Sequence, residues 1–287
     1  MKIAGASGFS ADASGLHPPA DDVVNNKRVS SCRAHFCAVL RLIVIAISIG
    51  GAAAAKAQDS SKDAGLCRSL SYGEASYVVC TIDLARYELR MFLRDPESKP
   101  YGSLARLIDS PEGDKLVFAM NGGMYDDNRL PIGLYIENGR MAKAVNTANG
   151  SGNFHLKPNG VFYASGDHAG VLETGRFLAT KPGAEIATQS GPMLVIDGHI
   201  HPKFSEDSAS RKLRNGVGVR QEHIVIFAIS DVPVTFIEFA RLFKDALACR
   251  DALFLDGSVS SLYAPSLGRS DGLAPLGPII GAVERHR

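Results

Sequence analysis

The sequence predicts an α+β fold, a single domain built on mixed, mainly antiparallel sheet with few helices. Three observations carry that prediction. Hairpin signals follow one another: Asn138-Gly139 between Ile136 and Met141, Ser165-Gly166-Asp167-His168 between Gly160–Ala164 and Ala169–Leu172, and Asp197-Gly198 after Met193–Ile196. Asn-Gly and Asp-Gly between apolar flanks favour two-residue turns that join antiparallel neighbours. Second, His223-Ile224-Val225-Ile226-Phe227-Ala228-Ile229-Ser230 is apolar at nearly every position and reads as a strand buried on both faces. Third, only the stretch near 235–248 sustains a long helical period, which argues against an alternating βαβ array.

The chain has 287 residues, 45% of them apolar, with a formal net charge of +1. That is enough apolar content for a real core, and no strong field for nucleic acid or an anionic membrane. Residues 1–57 are read as a disordered extension and signal peptide. Lys27, Arg28 and Arg33 form a basic region, Leu42–Ile49 an apolar one, and Ala55-Lys56-Ala57 a small-x-small cleavage site. The competing reading is a membrane anchor, but Leu42–Ala55 is shorter than the roughly 20 residues a span needs. Export to the periplasm or outside the cell, with no stable membrane span after processing, is therefore the expectation. An oxidising compartment permits a disulfide. Of the cysteines left after processing, Cys67 and Cys80 are the expected pair and Cys249 the free thiol.

Residues 58–75 read as a flexible lead-in, and 76–287 as the folded domain. Tyr77–Ile82 and Glu88–Leu93 have strand composition and are close enough in sequence to suggest a hairpin. Leu104, Leu107 and Ile108 predict a short helix near 102–109. Lys115–Met120 is another strand, ending in Asn121-Gly122-Gly123. Thr235-Phe236-Ile237-Glu238 is a capping box, with Val234 and Phe239 placed for a hydrophobic staple. Phe239, Leu242, Phe243, Ala246 and Leu247 then line one helical face through Cys249. Ala252–Leu255 and Pro278–Val283 are the last strands.

Several stretches carry candidate chemistry. Asp256 follows a buried strand and precedes Gly257, an arrangement that holds a carboxylate at a pocket rim or merely caps a turn. Arg211, Arg214 and Arg220 form the dense basic segment of the domain, in a glycine-rich setting suited to phosphate or carboxylate. The segments 149–160 and 188–192 offer neutral donors and acceptors to sugar hydroxyls or to solvent. His199 and His201 share a strand face, yet lack a further ligand, so no metal and no cofactor is expected.

Taken in order, Asn121-Gly122-Gly123, Gln189-Ser190-Gly191-Pro192, Arg214 with Gly218, the amphipathic helix and Leu255-Asp256-Gly257 resemble the phosphodiester glycosidase family over roughly residues 76–284. Asn159-Gly160-Val161-Phe162-Tyr163 and Asn215-Gly216-Val217-Gly218 look closest to a bacterial exported branch. Two departures stand out: Gly257-Ser258-Val259-Ser260 where the family commonly has a glycine run, and Arg214-Asn215-Gly216 where it often has Arg-Thr-Ala. The resemblance implies a hydrolase acting on sugar phosphodiesters. In that frame Asp256 is the catalytic carboxylate, Arg214 the phosphate ligand, and Asn121 and His155 the further catalytic candidates. Gly122, Gly123, Gln189, Ser190, Asn159, Arg220 and Ser258 are the substrate-binding candidates, and Asp126 or Asp127 is the available second carboxylate. Rival readings are a non-catalytic binder of envelope or extracellular glycan phosphates, and a serine hydrolase, for which no Gly-x-Ser-x-Gly elbow is present.

Overall fold

The computed structural model describes residues 65–257, 259–272 and 274–285, all within one compact unit spanning Ala57–Arg287. The proposed targeting segment, residues 1–57, and Ser258 lie outside the described residues. Among the described residues, no helix is long and apolar enough to cross a membrane.

Ile224–Ser230 sits inside a seven-stranded sheet, between Ala75–Asp83 and Asn215–Arg220. Alternation explains why it must be central. Val225, Phe227 and Ile229 enter one core while Ile226 and Ala228 enter another on the opposite face. Each fully buried apolar side chain of this size contributes roughly 1.5–3 kcal/mol, so neither face tolerates solvent. The sheet order is Cys67–Tyr72, Ala75–Asp83, Ile224–Ser230, Asn215–Arg220, Asp251–Phe254, Met193–Ile196, His199–Ile200.

The helical segment covers one face through Phe239, Leu242 and Phe243. Two five-stranded sheets supply the other core, meeting the central sheet at Phe227, whose ring lies 4.7 Å from Phe118 and 6.0 Å from Phe162. One contains Tyr87–Phe92, Leu116–Asn121, Leu262–Ala264, Arg269–Ser270 and Ile279–Glu284. The other contains Tyr135–Glu137, Arg140–Lys143, Gly160–Ser165, His168–Glu173 and Ile186–Ser190. Every strand pairing among the described residues is antiparallel.

The three hairpin turns form, with Asn138 and Gly139 at φ 51° and 72° and Asp197 and Gly198 at 49° and 80°. Thr235 and Glu238 cap each other as the sequence predicts. The helix itself, Phe236–Arg241, passes into a π-helical turn over Leu242–Ala246, and Ala248 at φ 51° turns the chain away just before Cys249. Gly218 lies beneath this turn. A Cβ there would meet Cys249 Sγ at 2.7 Å and Phe243 Cδ1 at 2.9 Å, so the strand–helix spacing requires glycine.

Three expectations change. Tyr87–Phe92 pairs with Ile279–Glu284 and not with Ala75–Asp83, because the latter is taken on both edges by Cys67–Tyr72 and Ile224–Ser230. Cys67–Tyr72, expected in the flexible lead-in, is an edge strand, and Cys67 and Cys80 are register partners joined by a disulfide with Cα atoms 4.0 Å apart. A helix at Thr174–Thr180, not foreseen, follows Glu173, whose carboxylate accepts from the Arg176 N–H.

Candidate functional site

The elements deliver Leu255 and Asp256 to a point where all three sheets meet. Asn215 opens its strand in the central sheet, Asn121 closes one in the second, and Ser190 closes one in the third. Leu255 N–H donates to the Asn215 carbonyl at 3.1 Å, and Asp256 N–H to Asn215 Oδ1 at 3.0 Å. Asn215 Nδ2 donates to Asn121 Oδ1 at 2.6 Å, and Asn121 Nδ2 to the Asp256 carbonyl at 3.3 Å. Ser261 N–H also donates to Asn121 Oδ1, and Ser190 Oγ to the Leu255 carbonyl at 2.6 Å. Asn121, Ser190 and Asn215 are all buried. Low surrounding dielectric strengthens such a network and makes each lost partner costly.

Asn121 therefore lies beside Asp256, but its amide holds the backbone of the site together. Asp256 is half-buried, and its charge is close enough to Tyr125 to add to the upward shift that burial imposes on that phenol. Ser260 Oγ donates to the Asp256 carbonyl at 3.1 Å. The turn is thus fixed on both sides of Asp256, and the carboxylate rides on a braced backbone.

Next to this knot lies a cavity of about 440 Å³, lined by Arg214 and Gly257 together with Asn153, Ser210, Lys212, Leu213, Phe236 and Phe254. Arg214 is only 1% exposed. Its Nε donates to the Val234 carbonyl and its Nη2 to the Ser210 carbonyl, both at 2.9 Å. The guanidinium carbon stands 3.6 Å over the Phe236 ring, a stacked cation–π geometry. Burial lowers its pKa to about 10, partly opposed by Glu238, so the group remains a cation at neutral pH. Two cationic side chains and no carboxylate line this cavity among the described residues. Its lining therefore carries net positive charge.

Other predicted site residues take structural positions. Gln189 Oε1 accepts from Leu134 and Asn146 N–H groups, and its Nε2 donates to the Asn146 carbonyl and to Thr174 Oγ1. Asn159 Nδ2 donates to the Phe154 carbonyl while its Oδ1 accepts from Thr174 Oγ1. With Ser190 bound to Leu255, these three side chains brace buried loops. Gly122 N–H donates to the Pro278 carbonyl at 2.7 Å and faces the protein. Gly123 packs on Thr188, whose Oγ1 a Cβ would strike.

Arg220 ends the strand that Asn215 begins, which at about 3.3 Å per residue puts it roughly 15–20 Å from Arg214. The two arginines cannot share one phosphate. His155 is near the cavity wall, two residues from Asn153. Its Nδ1 lies 3.1 Å from the Ala148 carbonyl, which can only accept, so Nδ1 is the donor in that contact. Asp126 closes its own turn through the Asn128 and Leu130 N–H groups, and Asp127 is exposed. Sequence reasoning missed Asn215 as the hub and Lys212 as a cavity cation. Lys212 had no local signal beyond the basic run. Among the described residues, no cluster of histidine, cysteine and acidic side chains is arranged to hold a metal.

Comparisons with known proteins agree with this frame. The Escherichia coli K12 protein YigE, itself uncharacterised, is 38% identical over 184 residues, covering 64% of this chain and 72% of that one. The catalytic domain of zebrafish N-acetylglucosamine-1-phosphodiester α-N-acetylglucosaminidase, in a form auto-inhibited by its pro-peptide, has the same fold. Its TM-score is 0.52 at 15% identity, with 78% of this chain and 85% of that one covered. Residues 114–274 match the phosphodiester glycosidase family model, a span that contains Asn121, Arg214, Asn215 and Asp256. On that match, the chain belongs to the phosphodiester glycosidase family.

Proposed function

We propose that this protein is an exported hydrolase that releases a sugar from a sugar 1-phosphodiester. The observation that carries the reading is Arg214, a buried cation in a cavity that no carboxylate lines among the described residues, one residue from the network that fixes Asp256. In such a reaction the bond between the anomeric carbon and the phosphate oxygen breaks. The electron pair leaves with the phosphate, and an oxygen from water ends on the sugar. The departing group is a phosphomonoester whose last proton has a pKa of about 6. It leaves as an anion without needing a strong general acid. A preorganised guanidinium that gains interaction as charge develops is the appropriate catalyst for that step. One carboxylate then suffices on the protein side. Asp256 takes the proton of the attacking water, or attacks the anomeric carbon itself to give a glycosyl ester that water then cleaves, releasing the sugar and freeing the carboxylate.

The test is turnover by the purified protein of sugar 1-phosphodiesters, compared with aryl glycosides of the same sugars. Sugar release from the phosphodiesters is the expected result. Asp256→Asn should fold normally and lose at least about 100-fold in kcat, the usual scale for removing a general base. Binding of phosphodiesters without release by the wild-type protein would favour the non-catalytic binder. Full activity in Asp256→Asn would remove Asp256 from the chemistry.

A further inference from the structure

Arg214 is the end of a longer stack. Phe236 lies beneath its guanidinium at 3.6 Å, and Phe204 stacks on Phe236 with centroids 5.0 Å apart and planes inclined by 8°. His201 stacks on Phe204 at 4.6 Å and 20°. The ring of Phe254 closes the side, edge-on to Phe236 at 5.0 Å. His201 is 1% exposed, and its Nδ1 accepts from the Lys203 N–H at 3.2 Å. Among the described residues its Nε2 is buried without a hydrogen-bond partner. A polar ring in such a position is costly unless its placement serves something else.

The stack runs from a loop at the edge of the central sheet to the cavity wall, joining the 201–204 segment to Arg214 and Phe236. The guanidinium has two constraints in its own plane, the Val234 and Ser210 carbonyls, and one from below, Phe236. Arg214 is at the same time one of the residues that line the cavity.

We propose that Phe204, backed by His201, is a positioning residue: it holds Phe236 flat beneath Arg214 and so fixes the direction in which the guanidinium meets the substrate phosphate. This rests on the functional reading above, and it extends the site to side chains that never touch the substrate. Loss of the flat support lets Phe236 tilt and frees the guanidinium to rotate about the bonds it keeps. A misaligned fork loses its paired geometry toward an anion.

The experiment titrates dimethyl phosphate, a minimal phosphodiester, into the full chain and reads the Kd by phosphorus NMR, with melting temperature measured in parallel. Phe204→Leu keeps apolar volume and removes the flat face. It should weaken binding by about 3–30-fold, the range of a cation–π contact. Phe204→Tyr, which restores the face, should bind within about twofold of wild type. Arg214→Lys is the control for the anion site and should bind at least as weakly as Phe204→Leu. Phe204→Met serves as the second variant if Phe204→Leu fails to fold. A packing role alone would lower melting temperature and the active fraction while leaving the Kd of folded molecules unchanged. That pattern, with Arg214→Lys still defective, overturns the proposal and leaves the anion site standing. If Arg214→Lys also binds normally, both the stack and the Arg214 assignment fall, and sugar release decides separately whether the function survives.

Discussion

Arg214 and His201 terminate the same aromatic stack, and burial lowers the pKa of both. The outcomes differ because their starting points differ. Arg214 falls to about 10 and stays charged, whereas His201 falls to about 4 and stays neutral at ordinary pH. Lys203 adds to the fall at His201, and nearby backbone carbonyls of Lys157 and Pro158 oppose it. A neutral His201 puts no second positive charge into the stack that supports Arg214. Its stability contribution has a definite sign. The unfolded chain takes up the imidazole proton near pH 6.5 and the folded one only near 4. Stability from this group is therefore present above pH 6.5 and lost as pH falls toward 4, by about 3 kcal/mol at most. His201→Phe keeps a ring in the stack and removes the titration. Urea unfolding between pH 7 and 4 should show a shallower loss of stability in the variant than in wild type; parallel curves would refute a buried neutral His201.

At the scale of elements, the segment from Lys212 to Ala246 ties the helix to the site. Lys212 and Val234 form an isolated antiparallel bridge, and Val234 supplies the carbonyl that Arg214 Nε uses. Thr235 caps the helix directly after Val234. Thr235→Ala should cost about 1 kcal/mol by losing the cap, and should also weaken phosphodiester binding, since the carbonyl beside Arg214 loses its anchor. A change in thermal stability with an unaltered Kd would separate the helix from the site.

These elements also explain what was legible in the sequence. Turns and caps depend on a few adjacent residues, so Asn138-Gly139, Asp197-Gly198 and the Thr235–Glu238 box could be read directly. Tyr87–Phe92 could not be paired, because its partner begins at Ile279 and no local pattern encodes that distance. The helix at Thr174–Thr180 buries only Thr174 and Phe177, too few positions to establish a period. At the site, Arg214 and Asp256 were visible as a cation among glycines and an acid after a buried strand. Gln189 and Asn159 looked like ligand-facing amides because their polarity is plain in the sequence, while the backbone groups they satisfy lie on other loops. Asn215 stood where the chain departs from the family pattern, and its partner Asn121 is 94 residues away.

Across the whole molecule, that pair decides how the sheets are joined. The central sheet reaches the second through Asn215 and Asn121, and the third through Leu255 and Ser190. Asp256 N–H and Asn121 Oδ1 both bond the Asn215 side chain, which is fully buried. Asn215→Ala removes a donor and an acceptor at once and takes from the half-buried Asp256 N–H its Asn215 acceptor. The expected loss is about 2–4 kcal/mol in urea unfolding. Asn215→Asp should be worse, although it is nearly isosteric. An oxygen then replaces Nδ2 at 2.6 Å from Asn121 Oδ1, so a donor–acceptor contact becomes a contact between two acceptors. Activity in either variant should fall further than the folded fraction does, because the Asp256 turn loses its brace. If Asn215→Asp is the more stable of the two, the hydrogen bond runs differently from the one described, and Asn215 does not hold the three sheets at Asp256.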